Sequence, residues 1–365
     1  MTRAVFHHPL PLDRDAASGS GLRPIRMLEA LEEQAEVWTV TGDSRQRARD
    51  IRRITEAMKD GVRFDLVYAE AATLPTPLTD DDRIPRAPFL DPVFLRACRR
   101  HGVPVGLFYR DVYWRFPGFA EKQSRLRRLA AKAAFHYDLA WYRGVVDVLY
   151  LPSLPMLEHV PISRSVTAKA LPPGTVLREE ATPAADGPLE VLYVGGVSEM
   201  YDIRRFVEAL AQVDGLHLTV CTRAEEWEAV RDEYEPLIGA NTDVVHLSGE
   251  ALTERMRRTH ISTVCVQPNL YRSFAAPVKL FDGVGMGIPV VASNGTHAAN
   301  LVEEFDLGWR VDHTTSAMRE LFTRLVGDRA AVDEARRRVF ASRGEHTWQA
   351  RAAQVIRDLS GLRHR

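Results

Sequence analysis

Cysteine is scarce in this chain: three in 365 residues, Cys98, Cys221 and Cys265, far apart and odd in number. That excludes a disulfide scaffold. With no metal-ligand spacing it excludes a zinc module too, and it points to a reducing compartment, the cytoplasm. Charge of one sign is not in excess either. Lys and Arg number 48 against 49 Asp and Glu, a formal net charge of -1, so no global basic field draws nucleic acid. Long apolar runs are missing: none approaches the ~20 residues that cross a bilayer. The first residues, through Arg3 to His7 and His8, hold no signal-peptide core. No repeat of solenoid length is present. No loop reads G-x-G-x-x-G, which argues against a dinucleotide-dependent dehydrogenase.

What is there is ordinary for a globular protein, 45% apolar and 27% charged, and the length suggests two domains. Strand-type runs over 4–7, 36–40, 64–69, 103–108 and 147–151 alternate with helical spacing over 22–33 and 91–100, the signature of an α/β chain with a parallel sheet. The stretch 8–21 reads as a loop. Thr76 to Pro88 carries Asp80, Asp81 and Asp82 and reads as a solvated loop. Residues 120–142 read as one helix with Lys122, Arg125, Arg127, Arg128 and Lys132, then Phe135, Tyr137, Trp141 and Tyr142. It suits an anionic membrane surface or a solvated face backed by buried aromatics. Pro, Ala and Gly crowd 171–188, a linker between a first domain over 1–170 and a second over 189–345. New strands follow near 190–194, 216–221, 243–247, 261–266, 288–292 and 308–311.

The most informative stretch is 271–293: loop, helix, tight turn, buried strand. The loop brings the amides of Ser273, Phe274, Ala275 and Ala276 to a helix start, with Pro277 suited to the first helical position. Such donors, with the helix dipole, favour a phosphate. Lys279 and Asp282 are three apart and share a helix face. A cation suits a phosphate and a carboxylate suits a pair of sugar hydroxyls. The other reading is a core helix with two solvated charges.

P-V-K-L-F-D-G-V-G-M-G-I-P-V-V-A-S, over 277–293, resembles the nucleotide-sugar segment of GT-B glycosyltransferases in the large retaining family four, usually P-x-K-x-F-E-Y, small residues, Gly and P-V-[VI]-A. The resemblance implies two Rossmann-like domains facing across a cleft, with Asp282 in place of the carboxylate that binds the donor's ribose. An earlier family glutamate would fall at Phe274 and is absent. Y-V-G-G-V-x-x-x-Y-D-I, over 193–203, is similar to the first turn of the donor domain. Members place an Arg and a Lys there for the diphosphate; this chain has Gly196 after Gly195, and Tyr201. Arg204 or Arg205 is the candidate substitute; the alternative is that helix phase sends both to solvent. F-Y-R-D-V-Y-W, over 108–114, matches a cleft position. Arg110 would bind an acceptor anion or the leaving diphosphate, and Asp111 would accept a proton or orient Arg110. A structural Arg–Asp pair is the alternative. The Gly-bearing loop S-G-S-G-L-R-P implies cleft contacts from Ser20, Gly21 and Arg23, or an ordinary turn. H-T-W-Q-A-R-A, over 346–352, is similar to the closing segment, whose helix (346–365) returns to the first domain.

The implied activity is transfer of a sugar from a nucleoside diphosphate sugar to an acceptor hydroxyl, in polysaccharide, glycolipid or glycoconjugate synthesis. No metal or other cofactor is implied. The acceptor is unknown, lipid-linked or saccharide, with peripheral contact at the inner face of the membrane and no nucleic acid partner. A UDP-sugar 2-epimerase-like isomerase and a catalytically silent glycosyltransferase-like partner protein are the alternatives.

Overall fold

The computed structural model describes residues 1–12, 19–116, 124–162 and 166–362. The chain divides into two compact units, one of Met1–Pro173 with Trp348–Arg365 and one of Gly174–Thr347.

The first unit is built on β1 (Arg3–His8), β2 (Glu36–Thr41), β3 (Leu66–Glu70), β4 (Val105–Phe108), β5 (Val148–Leu151) and β6 (Thr167–Ala170), all parallel in the order β2-β1-β3-β4-β5-β6. Strands β3, β4 and β5 are buried at every position, as expected of a parallel sheet covered on both faces. Helices α1 (Gly19–Glu32), α2 (Ser44–Lys59), α3 (Leu90–Arg100) and α4 (Arg125–Val145) follow the early strands. Ser124 caps α4 through a hydrogen bond from the Arg127 amide, so the long helix begins later than its sequence suggests; residues 117–123, Lys122 among them, lie outside the described residues.

Two local expectations are corrected. The stretch 8–21 is not loop to its end, because α1 already starts at Gly19; residues 13–18 lie outside the described residues. Asp80 is not solvated: it is buried and accepts both the Ser44 amide and hydroxyl at 2.7 Å. Desolvating that carboxylate is tolerable because both its oxygens are satisfied. Asp81 and Asp82 are exposed.

The second unit holds β7 (Leu189–Val194), β8 (Leu216–Cys221), β9 (Thr242–Val245), β10 (Ile261–Val264), β11 (Val290–Ser293) and β12 (Gly308–Val311), again parallel, in the order β12-β11-β10-β7-β8-β9. Around it run α5 (Arg204–Leu210), α6 (Ala224–Glu228), α7 (Arg231–Tyr234), α8 (Gly249–Arg257), α9 (Val278–Val284), α10 (His297–Glu304), α11 (Thr315–Gly327) and α12 (Arg329–Ser342). Residues 174–188 belong to this unit: the amides of Arg178, Ala181 and Thr182 donate to the carbonyls of Gly285, Met286 and Arg257.

The last helix, α13 (Trp348–Ser360), completes the first unit. Trp348, Ala352, Val355 and Leu359 join Phe6, Met27, Tyr68, Phe108 and Tyr150 in one buried cluster. Lys169 and the Tyr150 hydroxyl both donate to Asp358, at 2.5 and 3.2 Å.

Candidate functional site

In an open parallel sheet, ligands bind beyond the carboxyl ends of the strands, where the connections diverge to opposite sides. In the second unit that point lies between β7 and β10, which are neighbours while their successors β8 and β11 lie on opposite sides. A pocket of about 480 Å³, its open mouth included, sits there, lined by Gly195, Tyr201, Val266, Arg272, Ala275 and Lys279 among others. Two of its lining side chains are cationic, and none of the described lining residues is acidic. A smaller concavity shares Val194, Thr263 and Lys279 with it and adds Asp282.

Each wall has a local cause. Beyond β7 the chain turns at Gly195 and Gly196, where the Tyr193 hydroxyl donates to the Gly196 carbonyl at 2.6 Å. A Cβ at Gly195 would stand 2.7 Å from that hydroxyl, and one at Gly196 would stand 2.7 Å from a Glu226 carboxylate oxygen. A side chain at Gly195 would displace the bonded Tyr193 hydroxyl, whereas at Gly196 the Glu226 carboxylate would only have to swing aside. Lys279 and Asp282 share one face of α9, and the ammonium donates to Asp282 Oδ2 at 3.1 Å. Both side chains are about half exposed, at 50% and 41%, so the pair is worth little to stability and is accessible to a ligand.

Other donor-side expectations are corrected. The amides of Ser273, Phe274 and Ala275 are already bonded to the carbonyls of Asn269 and Tyr271 in successive turns. Among the described residues only Ala276, of the four, makes no such bond. Pro277 has extended ψ and precedes α9 as its cap rather than lying inside it. Phe274 is buried and packs edge-on against Tyr271, ring centroids 5.3 Å apart, so it supports the loop from beneath. Arg204 does not face the pocket. Its guanidinium grips Asp202 through two nitrogens, at 3.0 and 2.6 Å, and reaches Glu233 at 2.6 Å. A carboxylate two residues away competed successfully for that cation. Arg205 donates to the His313 carbonyl instead. Besides Lys279, the cation that lines the pocket is Arg272, which spacing did not single out.

In the first unit, β1, β3 and β4 end side by side. Asp111, just past β4, accepts the Tyr113 amide at 2.7 Å in a tight turn. The Arg110 charge reaches His8 at the end of β1, and together with burial it pushes the His8 imidazole down to about 3; burial is the larger cause. His8 Nδ1 lies 3.1 Å from the Glu70 carbonyl. Beneath this edge is a charged network absent from the sequence reading: His7 Nε2 lies 2.7 Å from Asp91, which also takes Arg47 at 2.9 and 3.2 Å. All three side chains are buried. Their partners come from three separate elements, so no local spacing announces them.

Arg23 is corrected as a loop residue. It lies inside α1, buried, with Nε 3.2 Å from Glu70 and its guanidinium carbon 3.4 Å from the Phe108 ring centroid and 5.6 Å from that of Trp348. This is a structural cation, clamping α1 to the sheet and to α13. Gly21 and Ser20 are in the first turns of the same helix; the Ser20 side chain lies outside the described residues. Among the described residues no cluster of His, Cys, Asp or Glu could hold a metal ion.

The profile of a family described as glycosyl transferase-like matches residues 199–357. Sucrose-phosphate synthase from Thermosynechococcus elongatus superposes with a TM-score of 0.64 at 16% identity, covering 99% of each chain. Anabaena HepE, solved with UDP and glucose, superposes with a TM-score of 0.62 at 12% identity, covering 99% of this chain and 100% of that one. WaaG, a glycosyltransferase of lipopolysaccharide biosynthesis, gives 0.56 at 13%, covering 98% and 100%. No curated protein matched by sequence. The architecture is thus the GT-B fold of these structures. The stretch similar to the glycosyl transferase-like family, residues 199–357, carries Tyr201, Arg272, Lys279 and Asp282.

Proposed function

We propose that the chain transfers a sugar from a nucleoside diphosphate sugar to an acceptor hydroxyl. The observation that carries this reading is the pair of adjoining concavities at the β7/β10 edge. One is lined by Arg272 and Lys279, which suits a diphosphate. The other offers Asp282, which suits the two ribose hydroxyls. Lys279 borders both, at the junction a nucleoside diphosphate would span. HepE holds UDP at low identity but over the same fold, which makes UDP-sugars the first donors to try.

On this reading Lys279 and the Ala276 amide meet the diphosphate, and the Gly195–Gly196 turn lets the ligand approach the end of β7. Arg110 and Asp111, at the edge of the first sheet, serve the acceptor side. The charge on the leaving group is met by protein cations, so transfer proceeds without a metal and survives chelation. The partner surface we assign to α4 is an anionic membrane or lipid-linked acceptor: Leu126 and Leu129 are exposed at 78% and 64%, on turns that also carry Arg125, Arg127 and Arg128. Apolar side chains among cations fit an anionic interface.

The test is a thermal-shift panel of nucleoside diphosphates and their sugars, followed by product analysis with chelator present. A true donor at about 100 times its dissociation constant adds ~2.7 kcal/mol of stability. Interconversion of the sugar without an acceptor would point to an isomerase instead. Indifference to every nucleotide would defeat the donor reading.

A further inference from the structure

The segment that carries the chain into the second unit lies against the back of the helix that bears Lys279 and Asp282. Residues 175–182 form no helix or strand of their own, yet their backbone is held along its length. The Thr175 amide donates to the His346 carbonyl at 2.8 Å, and Thr175 bridges Thr347. The Arg178 and Ala181 amides donate to the carbonyls of Gly285 and Met286 at 3.2 and 2.9 Å, and the Thr182 amide to that of Arg257, the last residue of α8. Gly285 and Met286 directly follow α9, so this strap satisfies carbonyls that a helix end leaves open. Two arginines fasten it from the side of α12. Arg343 donates to the Arg178 carbonyl at 3.1 Å and to the Gly285 carbonyl at 3.5 Å, and Arg336 donates to the Ala181 carbonyl at 2.9 Å.

The fit leaves no space at Gly285. Its φ of -61° and ψ of -19° suit any residue, so no dihedral calls for glycine there. A Cβ would instead run into the Thr175 hydroxyl and the Val176 carbonyl. A carbonyl in a tethered backbone cannot swing aside as a side chain can. The strap also reaches the ligand side. Ala181 is fully buried in one cluster with Leu192 and Met256, and those two side chains line the concavity that holds Asp282. Between strap and ligand face stands only α9, seven residues long. At 1.5 Å per residue that is roughly 10 Å of rigid helix.

We infer that the strap positions α9, that Gly285 is the positioning residue that lets it seat, and that a ligand on Lys279 and Asp282 tightens the seated strap. The identity of the ligand rests on the donor reading; the link from strap to helix is read from packing alone. Linkage makes the effect reciprocal: a ligand that holds the strap in place is bound more weakly once the strap is loosened.

The experiment is hydrogen exchange by mass spectrometry on the full chain, free and saturated with UDP, beside calorimetric titration of UDP. The variants are Gly285→Ala and Arg343→Met, each checked for folding by its melting curve. In the parent, UDP should slow exchange over 178–182 by roughly fivefold or more. Exchange in α11, which lines neither concavity, should change by less than about twofold. Gly285→Ala should unseat the strap and weaken UDP by roughly fivefold or more. Arg343→Met removes one fastener, so it should speed exchange over 178–182 and weaken UDP by roughly two- to fivefold; it decides the matter if Gly285→Ala does not fold. A role in stability alone would lower the melting temperature of both variants and leave the UDP constant of the folded protein as in the parent, which overturns the inference. So does a strap that exchanges alike with and without UDP, or that slows only in step with α11. A parent that binds UDP with an indifferent strap defeats the inference alone, whereas a parent that binds no UDP defeats the donor reading with it.

Discussion

Asp282 and Lys279 were legible from the sequence because their relation is local: three positions on one short helix, after a proline. The structure keeps them on one face, and the expected effects follow. Asp282→Asn should weaken a nucleoside diphosphate by roughly tenfold or more, while Lys279→Ala should weaken the diphosphate and barely change the free nucleoside; calorimetry on the folded variants measures both. Arg272 was not legible, since its place at the pocket depends on contact with Tyr201 in another loop, and the burial of Arg23 depends on Glu70, Phe108 and Trp348 in three other elements. Asp138 shows the same limit. It sits on a helix like any other acid, yet burial raises its carboxyl to about 7 against the hydrogen bonds from Thr76 and Trp141 that pull it down. The folded state therefore holds that proton more tightly than the unfolded chain. The associated stability is full below the ordinary value of 3.8 and is lost as pH rises from there through about 7. His8 acts in the opposite sense: its stability is present above the ordinary value of 6.5 and is lost as pH falls towards about 3. Asp138→Asn should accordingly gain on the parent as pH rises from 4 to 7, by at most roughly 1.4 kcal/mol per unit. Urea midpoints of both proteins at pH 5 and pH 7 check it; a difference that does not change with pH would show that Asp138 titrates normally.

At the scale of elements, the sequence revealed type better than extent. Five of the six strands of the first sheet stand out as apolar, β-branched runs bounded by turn residues. Strand β6, Thr-Ala-Lys-Ala, does not, because it borrows its conformation from pairing with β5 at the sheet edge. The order of strands was not legible at all, and it is the order that puts the pocket between β7 and β10. Helix α4 was read as basic and partly aromatic; its shape adds that the aromatic half is largely buried while Leu126 and Leu129 stand clear of the protein among arginines. Flotation with anionic vesicles at low salt should carry the protein up, and it should fail at high salt or with neutral vesicles. Leu126→Ser with Leu129→Ser should reduce flotation even though the charge is intact. If the doubly substituted protein floats as well as the parent, the two leucines do not enter the interface.

For the molecule as a whole, the first unit is discontinuous and the second is not. Removing residues 348–365 strips Trp348, Ala352, Val355 and Leu359 from the core cluster of the first unit. Large buried side chains each contribute on the order of 1.5–3 kcal/mol, so the joint loss of Trp348, Val355 and Leu359, roughly 5–9 kcal/mol, is comparable to the whole margin of an ordinary domain, about 5–15 kcal/mol. Calorimetry of such a truncated chain should show the transition of the second unit preserved and that of the first unit abolished, with 174–347 surviving limited proteolysis. Two intact transitions would mean that α13 is dispensable. The same discontinuity sets an order of events during synthesis. The whole of 174–347 leaves the ribosome before Trp348 does, which at ~5–20 residues per second takes roughly 10–35 s. Through that interval the later-made unit can reach its final form while the earlier-made strands and helices wait for α13 to complete their core cluster.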